Sequence, residues 1–213
     1  MSTRIVRPRA ALRKEPRQAR SRATVEAVIE AGARILSAEG WAGFTTNKVA
    51  EAAGVSIGSL YQYFPDKVSL VGAIRRRHLD DSLAAVKRAG AGDMPLEDFV
   101  AGLVDNLIAA HRLHPGLQRV LLDEAPGMDE FWEQNARVEA DYMACFTDIA
   151  AAYRGRRGGV DDETMGAIIS DTIDGVIHNA ARRGRLGDAA IRGELARIIQ
   201  LYLAEGAAGV RTA

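Results

Sequence analysis

Residues 45–67 read TTNKVAEAAGVSIGSLYQYFPDK, and this stretch decides the fold because it describes two short helices joined by a glycine turn. Thr45 or Thr46 is a suitable N-cap for the first helix. Gly54 supplies the left-handed backbone that ends this helix, and the hydroxyl of Ser56 is a suitable N-cap for the second. The pattern therefore predicts a helix-turn-helix.

The second helix carries a polar face with almost no acid. Leu60 and Phe64 are four residues apart, so we expect them to hold this helix to the core. An ordinary hairpin with a solvated side is the alternative, but Gly58 and two tyrosines outside the core stripe favour contact with another molecule. Hydroxyl, amide and ammonium groups suit DNA phosphates and base edges. On this face lie Ser56, Ser59, Tyr61, Gln62, Tyr63 and Lys67.

Over about residues 20–75 the chain resembles the DNA-binding helix-turn-helix of the TetR family of transcriptional regulators. The matching residues are Thr45, Thr46, Val49, Ala50, Ala53, Gly54, Val55, Ser56, Gly58, Leu60, Tyr61, Tyr63, Phe64, Lys67 and Leu70. The resemblance implies that phosphates are held by Thr46, Tyr61, Tyr63 and Lys67. It implies that the bases face Asn47, Ile57, Gly58, Ser59 and Gln62, and Ser56 completes the predicted DNA-binding set.

The formal net charge of zero is the sum of two opposite parts. Residues 1–89 carry 16 Lys and Arg against 8 Asp and Glu, whereas residues 90–213 carry 12 against 20. A basic part beside an acidic remainder is typical of one nucleic-acid-binding domain joined to a domain that does not bind nucleic acid.

Composition and breaks in the helical pattern predict three parts. Residues 1–20 are arginine-rich and contain two prolines, so we expect a disordered basic arm that binds near DNA. An organelle leader is the alternative, but the prolines would interrupt its amphipathic helix. Residues 21–88 form the predicted DNA-binding domain with its linking helix. Residues 89–213, which begin at the AGAGD hinge, form the predicted regulatory and dimerisation domain.

The fold class is predicted to be all-α. The chain is 47% hydrophobic and alanine-rich but only 6% aromatic, which favours helix over sheet. We expect a small N-terminal three-helix helix-turn-helix domain and a larger helical ligand-sensing and dimerisation domain. In the helix that follows Asp66, the consecutive Arg75, Arg76 and Arg77 are expected on a solvated face.

The last two helices have apolar faces too wide for helices covered on one side, which predicts a homodimer. In the TetR family the corresponding helices pair into a four-helix interface. A helix buried wholly in its own monomer is the alternative. Candidate interface residues are Ile168, Thr172, Gly175, Val176, Leu195, Ile198, Ile199 and Tyr202.

The resemblance implies a small-molecule effector bound among the middle helices. Core packing is the alternative for each candidate residue. Asp174 and His178 lie four apart on a largely apolar helix, where both need a partner, and they would pair with each other or with a ligand. The candidate lining residues are Phe99, Leu103, Asn106, Phe131, Trp132, Tyr142, Asp174 and His178.

Enzymatic signatures are absent from the sequence. His111 and His114 are three apart, but no third ligand lies at a matching offset, so we predict no metal and no cofactor. Cys145 lies on an apolar stripe and is interpreted as a core thiol. The chain shows neither a membrane span nor a secretion signal, so we expect it in the cytoplasm.

These observations together predict a sequence-specific DNA-binding transcriptional regulator. We expect a repressor that a small-molecule ligand in the C-terminal domain releases from a palindromic double-stranded operator. The alternatives are an architectural DNA-binding protein without ligand sensing and, from a different class, an all-helical enzyme.

Overall fold

The computed structural model describes residues 19–92, 94–154 and 160–204, and within those ranges the chain is helical with no β-strand. The basic arm predicted for residues 1–20 lies almost wholly outside the described residues. The helices are α1 (Ala19–Gly43), α2 (Thr46–Ala52), α3 (Ile57–Tyr63), α4 (Lys67–Ala89), α5 (Leu96–Arg112), α6 (Leu117–Arg119), α7 (Met128–Tyr153), α8 (Asp162–Arg182) and α9 (Ala189–Ala204). A π-helical turn, Val120–Glu124, directly follows α6.

The chain divides into two compact units, and neither is continuous in sequence. The first contains the described residues up to His78 together with Gly116–Asn135, and the second contains Leu79–Pro115 and the described residues from Ala136 onward. The first unit therefore differs from the predicted DNA-binding domain, 21–88, in two ways. It includes α6 and the π turn, which pack against α1, and it does not include residues 79–88.

The linker that was predicted as the domain boundary belongs to the second unit. The hydroxyl of Tyr153 accepts a hydrogen bond from the Gly92 amide at 3.0 Å and donates one to the Met94 carbonyl at 3.1 Å. The Tyr153 ring also stacks on Phe99, with ring centroids 4.6 Å apart. These contacts tie the linker to the end of α7, so its glycine-rich composition does not mark the division between the units.

The core of the first unit explains how the helix-turn-helix is held. Leu60 and Phe64 are fully buried with Phe44 and Leu36, which confirms that they anchor α3. The Asp66 carboxylate accepts a hydrogen bond from the Ser69 amide at 2.7 Å, and this bond stabilises the first turn of α4. The face of α3 opposite Leu60 is consequently directed to solvent.

The expectation of a solvated arginine face on α4 is wrong for Arg75, which is only 4% exposed. Its guanidinium donates to the carbonyl of Leu121 at 2.7 Å, to that of Ala125 at 2.6 Å and to that of Pro126 at 2.8 Å. These carbonyls lie in and just after the π turn, where backbone acceptors lack helical partners. Arg75 therefore fixes this segment to α4.

Candidate nucleic-acid interface

The two helices of the reading motif are defined by local caps. The Thr45 hydroxyl accepts the Lys48 amide at 3.3 Å, and the Ser56 hydroxyl accepts the Ser59 amide at 3.0 Å. Between the helices, Gly54 has φ of 67°, the left-handed conformation that favours glycine. The predicted caps are confirmed, and Thr45 rather than Thr46 caps α2.

Most of the predicted DNA-binding side chains form one accessible surface on α2 and α3, which we call the reading face. Thr46 and Ser59 are partly exposed. α3 contains no acidic residue, so the reading face does not repel phosphate from this helix. The exposed members of the face are Asn47, Ser56, Ile57, Gly58, Tyr61 and Gln62.

Two hydroxyl groups of the reading face meet. The Thr46 hydroxyl lies 3.0 Å from the Tyr61 hydroxyl, and either can donate the hydrogen bond. Thr46 is the first residue of α2 and Tyr61 lies on α3, so this bond joins the two helices at the surface. Each hydroxyl keeps further hydrogen-bonding capacity, which would suit a phosphate oxygen at this point.

Gly58 occupies a position where neither backbone nor packing requires glycine. Its backbone is helical and its φ is not positive. A Cβ added there would meet only the Ser56 hydroxyl oxygen, at an ordinary contact distance of 3.9 Å. Glycine in an exposed helix costs roughly 0.5–1 kcal/mol relative to alanine. Open space therefore lies beside the Gly58 backbone on the reading face.

Tyr63 and Lys67 are less available than predicted. Tyr63 is 9% exposed because its ring packs in the core of the first unit. The Lys67 ammonium donates to the Trp41 carbonyl at 2.8 Å and lies 3.5 Å from the centroid of the Trp41 ring. Partial burial lowers the pKa of Lys67. Both side chains thus contact other parts of the unit itself, and the Lys67 ammonium is bound to Trp41.

The candidate effector residues lie in the second unit and are mostly core. Phe99 and Leu103 are fully buried, and Tyr142 packs edge-on against Phe146 with centroids 5.2 Å apart. The Asn106 amide donates to the Ala85 carbonyl at 3.3 Å. The side chains of Phe131 and Trp132 lie outside the described part of the structure.

A polar cluster interrupts this apolar core. Burial and the charge of Asp174 raise the pKa of Tyr142, although the buried Ser170 side chain opposes the shift. Burial also raises the pKa of Asp174 to about 6, although the charge of His111 opposes the shift.

The opposing charge that acts on the pKa of Asp174 therefore comes from His111 on α5, whereas the sequence predicted His178 or a ligand as the partner of Asp174. His111 is buried, and its Nδ1 lies 2.9 Å from the Leu107 carbonyl. Sequence reasoning missed this role of His111, although its position four residues after Leu107 places it on the apolar stripe of α5.

The predicted dimer residues fall into two groups. Leu195 and Ile199 are buried in the core of their own chain, so their assignment to the interface is wrong. Ile168 and Ile198 are 43% and 45% exposed, and Leu201 on α9 is also exposed, so these three remain available to a second copy and are called the dimer face in accordance with the prediction. Tyr202 is partly buried. An open groove of about 530 Å³ follows α8 and is lined by Asp171, Thr172, Gly175, Val176, Asn179, Ala180, Arg183, Arg185 and Ile191.

Among the described residues, no three His, Cys, Asp or Glu side chains are arranged to hold a metal ion. In the same part of the chain, no helix has both the length and the hydropathy to cross a membrane.

Two family models match the chain. Residues 28–74 match the model of bacterial regulatory proteins of the tetR family. Residues 95–203 match the model of the tetracyclin repressor-like C-terminal domain.

Curated relatives match over a shorter stretch. The nucleoid occlusion factor SlmA of Glaesserella parasuis is 30% identical over 89 residues, which cover 42% of this chain and 44% of the relative. An uncharacterised HTH-type transcriptional regulator of Mycobacterium tuberculosis is 31% identical over 91 residues, which cover 43% of this chain and 41% of the relative. The match thus spans less than half the length of either relative.

Solved structures are similar over most of the chain. A transcriptional regulator from Rhodococcus sp. Rha1 has a TM-score of 0.72 at 18% identity, covering 87% of this chain and 98% of that one. The fatty acid degradation regulator FadR from Bacillus halodurans has a TM-score of 0.68 at 17% identity, covering 94% and 100%. At these identities the likeness shows a shared fold.

The raised pKa of Asp174 predicts a pH-dependent stability. Because the native state holds this proton more tightly than the unfolded chain, stability is lost as pH rises from about 4 through about 6. Asp174→Asn removes this loss. We expect the variant to gain about 1–3 kcal/mol relative to wild type between pH 4 and pH 8, measured by urea unfolding. The exposed Glu163→Gln on the same helix removes an acid that does not act on the pKa of Asp174, so it is the control, and an equal gain there would contradict the assignment.

Proposed function

The chain belongs to the TetR family of bacterial regulatory proteins and is a DNA-binding transcriptional regulator, and we propose that it represses transcription by occupying a palindromic operator. We further propose that a small molecule bound in its C-terminal part releases it from that operator. It would act in the cytoplasm, where its DNA target lies.

The observation that carries this proposal is the reading face of α3. Its accessible amide, hydroxyl and apolar groups sit on a short, capped helix whose opposite side is fixed in the core. Gln62 and Asn47 can each make a bidentate contact to adenine, and Ile57 offers apolar contact to a thymine methyl group. This combination provides base contacts as well as phosphate contacts, which favours a sequence-specific role over an architectural one.

A palindromic operator follows from a two-fold dimer. Two copies joined through the dimer face would present two α3 helices to successive major grooves, roughly 34 Å apart. The exposed Ile168, Ile198 and Leu201 support such a pairing together with the neighbouring groove, because apolar surface on α8 and α9 would be covered by a second copy.

Effector binding is proposed for the second unit. The apolar residues around Phe99 and Tyr142, together with a few polar groups such as Asp174 and Ser170, have the composition of small-molecule sites. A ligand that enters this core would repack it, and the dimer would then present its two reading faces at a different spacing.

Footprinting on DNA upstream of the gene tests the proposal directly. We expect a protected pair of half-sites with two-fold symmetry, and loss of protection when the correct compound is added from a ligand panel. Competition with random DNA over a series of salt concentrations separates operator binding from architectural binding. Equal affinity for both DNAs at every salt concentration would contradict sequence-specific regulation.

Gly58→Ala is expected to stabilise the protein and weaken operator binding. The free energy of unfolding should rise by about 0.5–1 kcal/mol because alanine favours helix. Operator affinity should fall about tenfold, because an added methyl group in a close interface costs about 1–3 kcal/mol. Gly102→Ala on α5, which also has open space for a Cβ, is the control for stability without a change in binding. Unchanged affinity of Gly58→Ala would show that DNA does not approach this backbone.

Gln62→Ala and Tyr61→Ala are expected to have different effects on the sequence dependence of DNA binding. Loss of the Gln62 amide should relax base choice at one operator position by about 1–3 kcal/mol. Loss of the Tyr61 hydroxyl should weaken binding to all sequences alike, because phosphates carry no sequence information. Dissociation constants on the operator, on single-base variants and on random DNA measure both effects. If Gln62→Ala loses the same affinity on operator and random DNA, its assignment as a base contact fails.

Ile198→Glu is expected to produce a monomer, because a carboxylate replaces an apolar side chain at the centre of the dimer face. Light scattering reports the mass, and operator affinity should fall with it. Leu113→Glu is the matched control, since it places the same charge at an exposed leucine outside this face. A wild-type protein that is already monomeric would refute the predicted interface.

A further inference from the structure

A carboxylate from a distant part of the chain binds the backbone just before the reading motif. The Trp41 amide donates to Oε2 of Glu124 at 2.9 Å, although the two residues are 83 positions apart. α1 is interrupted at Gly40, whose φ of 68° and ψ of −177° are not helical. The Trp41 amide follows this break, where backbone donors lack a helical acceptor. Glu124 therefore caps the turn that leads to α2.

Gly40 is adapted to this contact in two independent ways. Its φ lies in the region that favours glycine. A Cβ at this position would also lie 2.9 Å from Oε2 of Glu124, which is closer than a real Cβ comes to a neighbouring atom. A larger residue would strain the backbone and push the carboxylate away from the Trp41 amide.

The other side of Trp41 is bound to the helix that follows the reading motif. Lys67 is the first residue of α4, and its ammonium binds the Trp41 carbonyl and covers the Trp41 ring. The reading motif, α2 and α3, lies between Trp41 and Lys67 in sequence. Its entry and its exit are therefore joined at Trp41, and Glu124 holds Trp41 through the amide.

Glu124 is itself held in place. Arg119 pairs with its second carboxylate oxygen. The hydrogen bonds from the Trp41 amide and from Arg119 lower the pKa of Glu124, so the carboxylate is ionised at neutral pH. The surrounding π turn is fixed to α4 by Arg75 through the carbonyls of Leu121 and Ala125. All of these residues belong to the first unit.

We propose that Glu124 is a positioning residue for DNA binding, because its contact with the Trp41 amide sets the orientation of α2 and α3 and thus the affinity for the operator. This inference rests on the proposed operator binding. It makes the segment 117–126 part of the DNA-reading apparatus, although this segment lies outside both α2–α3 and the matched N-terminal model, which ends at residue 74. A shift of this segment would change operator affinity without any change in the side chains that touch DNA.

Glu124→Ala tests the proposal because a loss of orientation would lower operator affinity, whereas the loss of a negative charge would raise it. Removing an acid near a DNA-binding surface strengthens DNA binding if charge alone acts. We expect operator affinity to fall about tenfold instead, with a smaller loss on random DNA. Asp123→Ala removes a neighbouring exposed acid in the same turn and is the matched control, for which affinity should stay equal or rise.

Glu124→Gln distinguishes positioning from general destabilisation. Its amide oxygen can still accept the Trp41 proton, so we expect most of the operator affinity to return. Equal weakness of the Gln and Ala variants would overturn the proposal, as would Glu124→Ala binding the operator as tightly as wild type. Unfolding in urea, measured on each variant, confirms that the compared proteins are folded.

Hydrogen exchange at the Trp41 amide provides a readout that does not need DNA. We expect faster exchange in Glu124→Ala than in Glu124→Gln, with no change in Asp123→Ala. Unchanged exchange in Glu124→Ala would overturn the contact whatever the DNA result. A wild-type protein that protects no operator would instead contradict the proposed function, and the two failures are thus distinguishable.

Discussion

The buried guanidinium of Arg75 is the contact on which the organisation of the first unit depends. It donates to three backbone carbonyls that lie in and just after the π turn. Charged hydrogen bonds of this kind contribute about 1.5–3 kcal/mol, and breaking a buried set costs more because the charge remains. Through Arg75 the segment after α5 becomes part of the DNA-reading unit, and Glu124 can reach Trp41.

The local features of the motif were predictable because their causes are local. Thr45, Gly54 and Ser56 act on amides or dihedral angles within a few residues, so their types and spacing define the caps and the turn. The role of Leu60 and Phe64 as core anchors was equally predictable, since a spacing of four residues places them on one face of a helix. The resemblance to a known family added the roles of the exposed side chains, which physical patterns alone leave open.

The features that sequence reasoning missed are tertiary. Three consecutive arginines look alike in sequence, and only the π turn distinguishes Arg75 from Arg76. Residues 117–124 are too short a stretch for a helical period to be recognised, so the apolar pattern did not predict α6 and the π turn. Leu195 and Ile198 belong to the same apolar stripe of α9, yet Leu195 is buried and Ile198 is exposed. The spacing of apolar residues in a sequence does not tell a residue buried in its own chain from one available to a second copy. The effect of the His111 charge on the pKa of Asp174 likewise depends on the packing of α5 against α8, which sequence alone does not show.

The first unit consists of two separate stretches of the chain, and this limits where recombination between related genes can join two parents. A junction placed at the glycine-rich linker, near residue 90, would keep Arg75 and Trp41 with the reading motif but leave residues 116–126 with the other parent. Arg75 would then meet foreign carbonyls, and Trp41 would meet a foreign side chain in place of Glu124. Recombination between relatives should therefore preserve these two stretches together, so that they are inherited as a pair despite their separation along the gene.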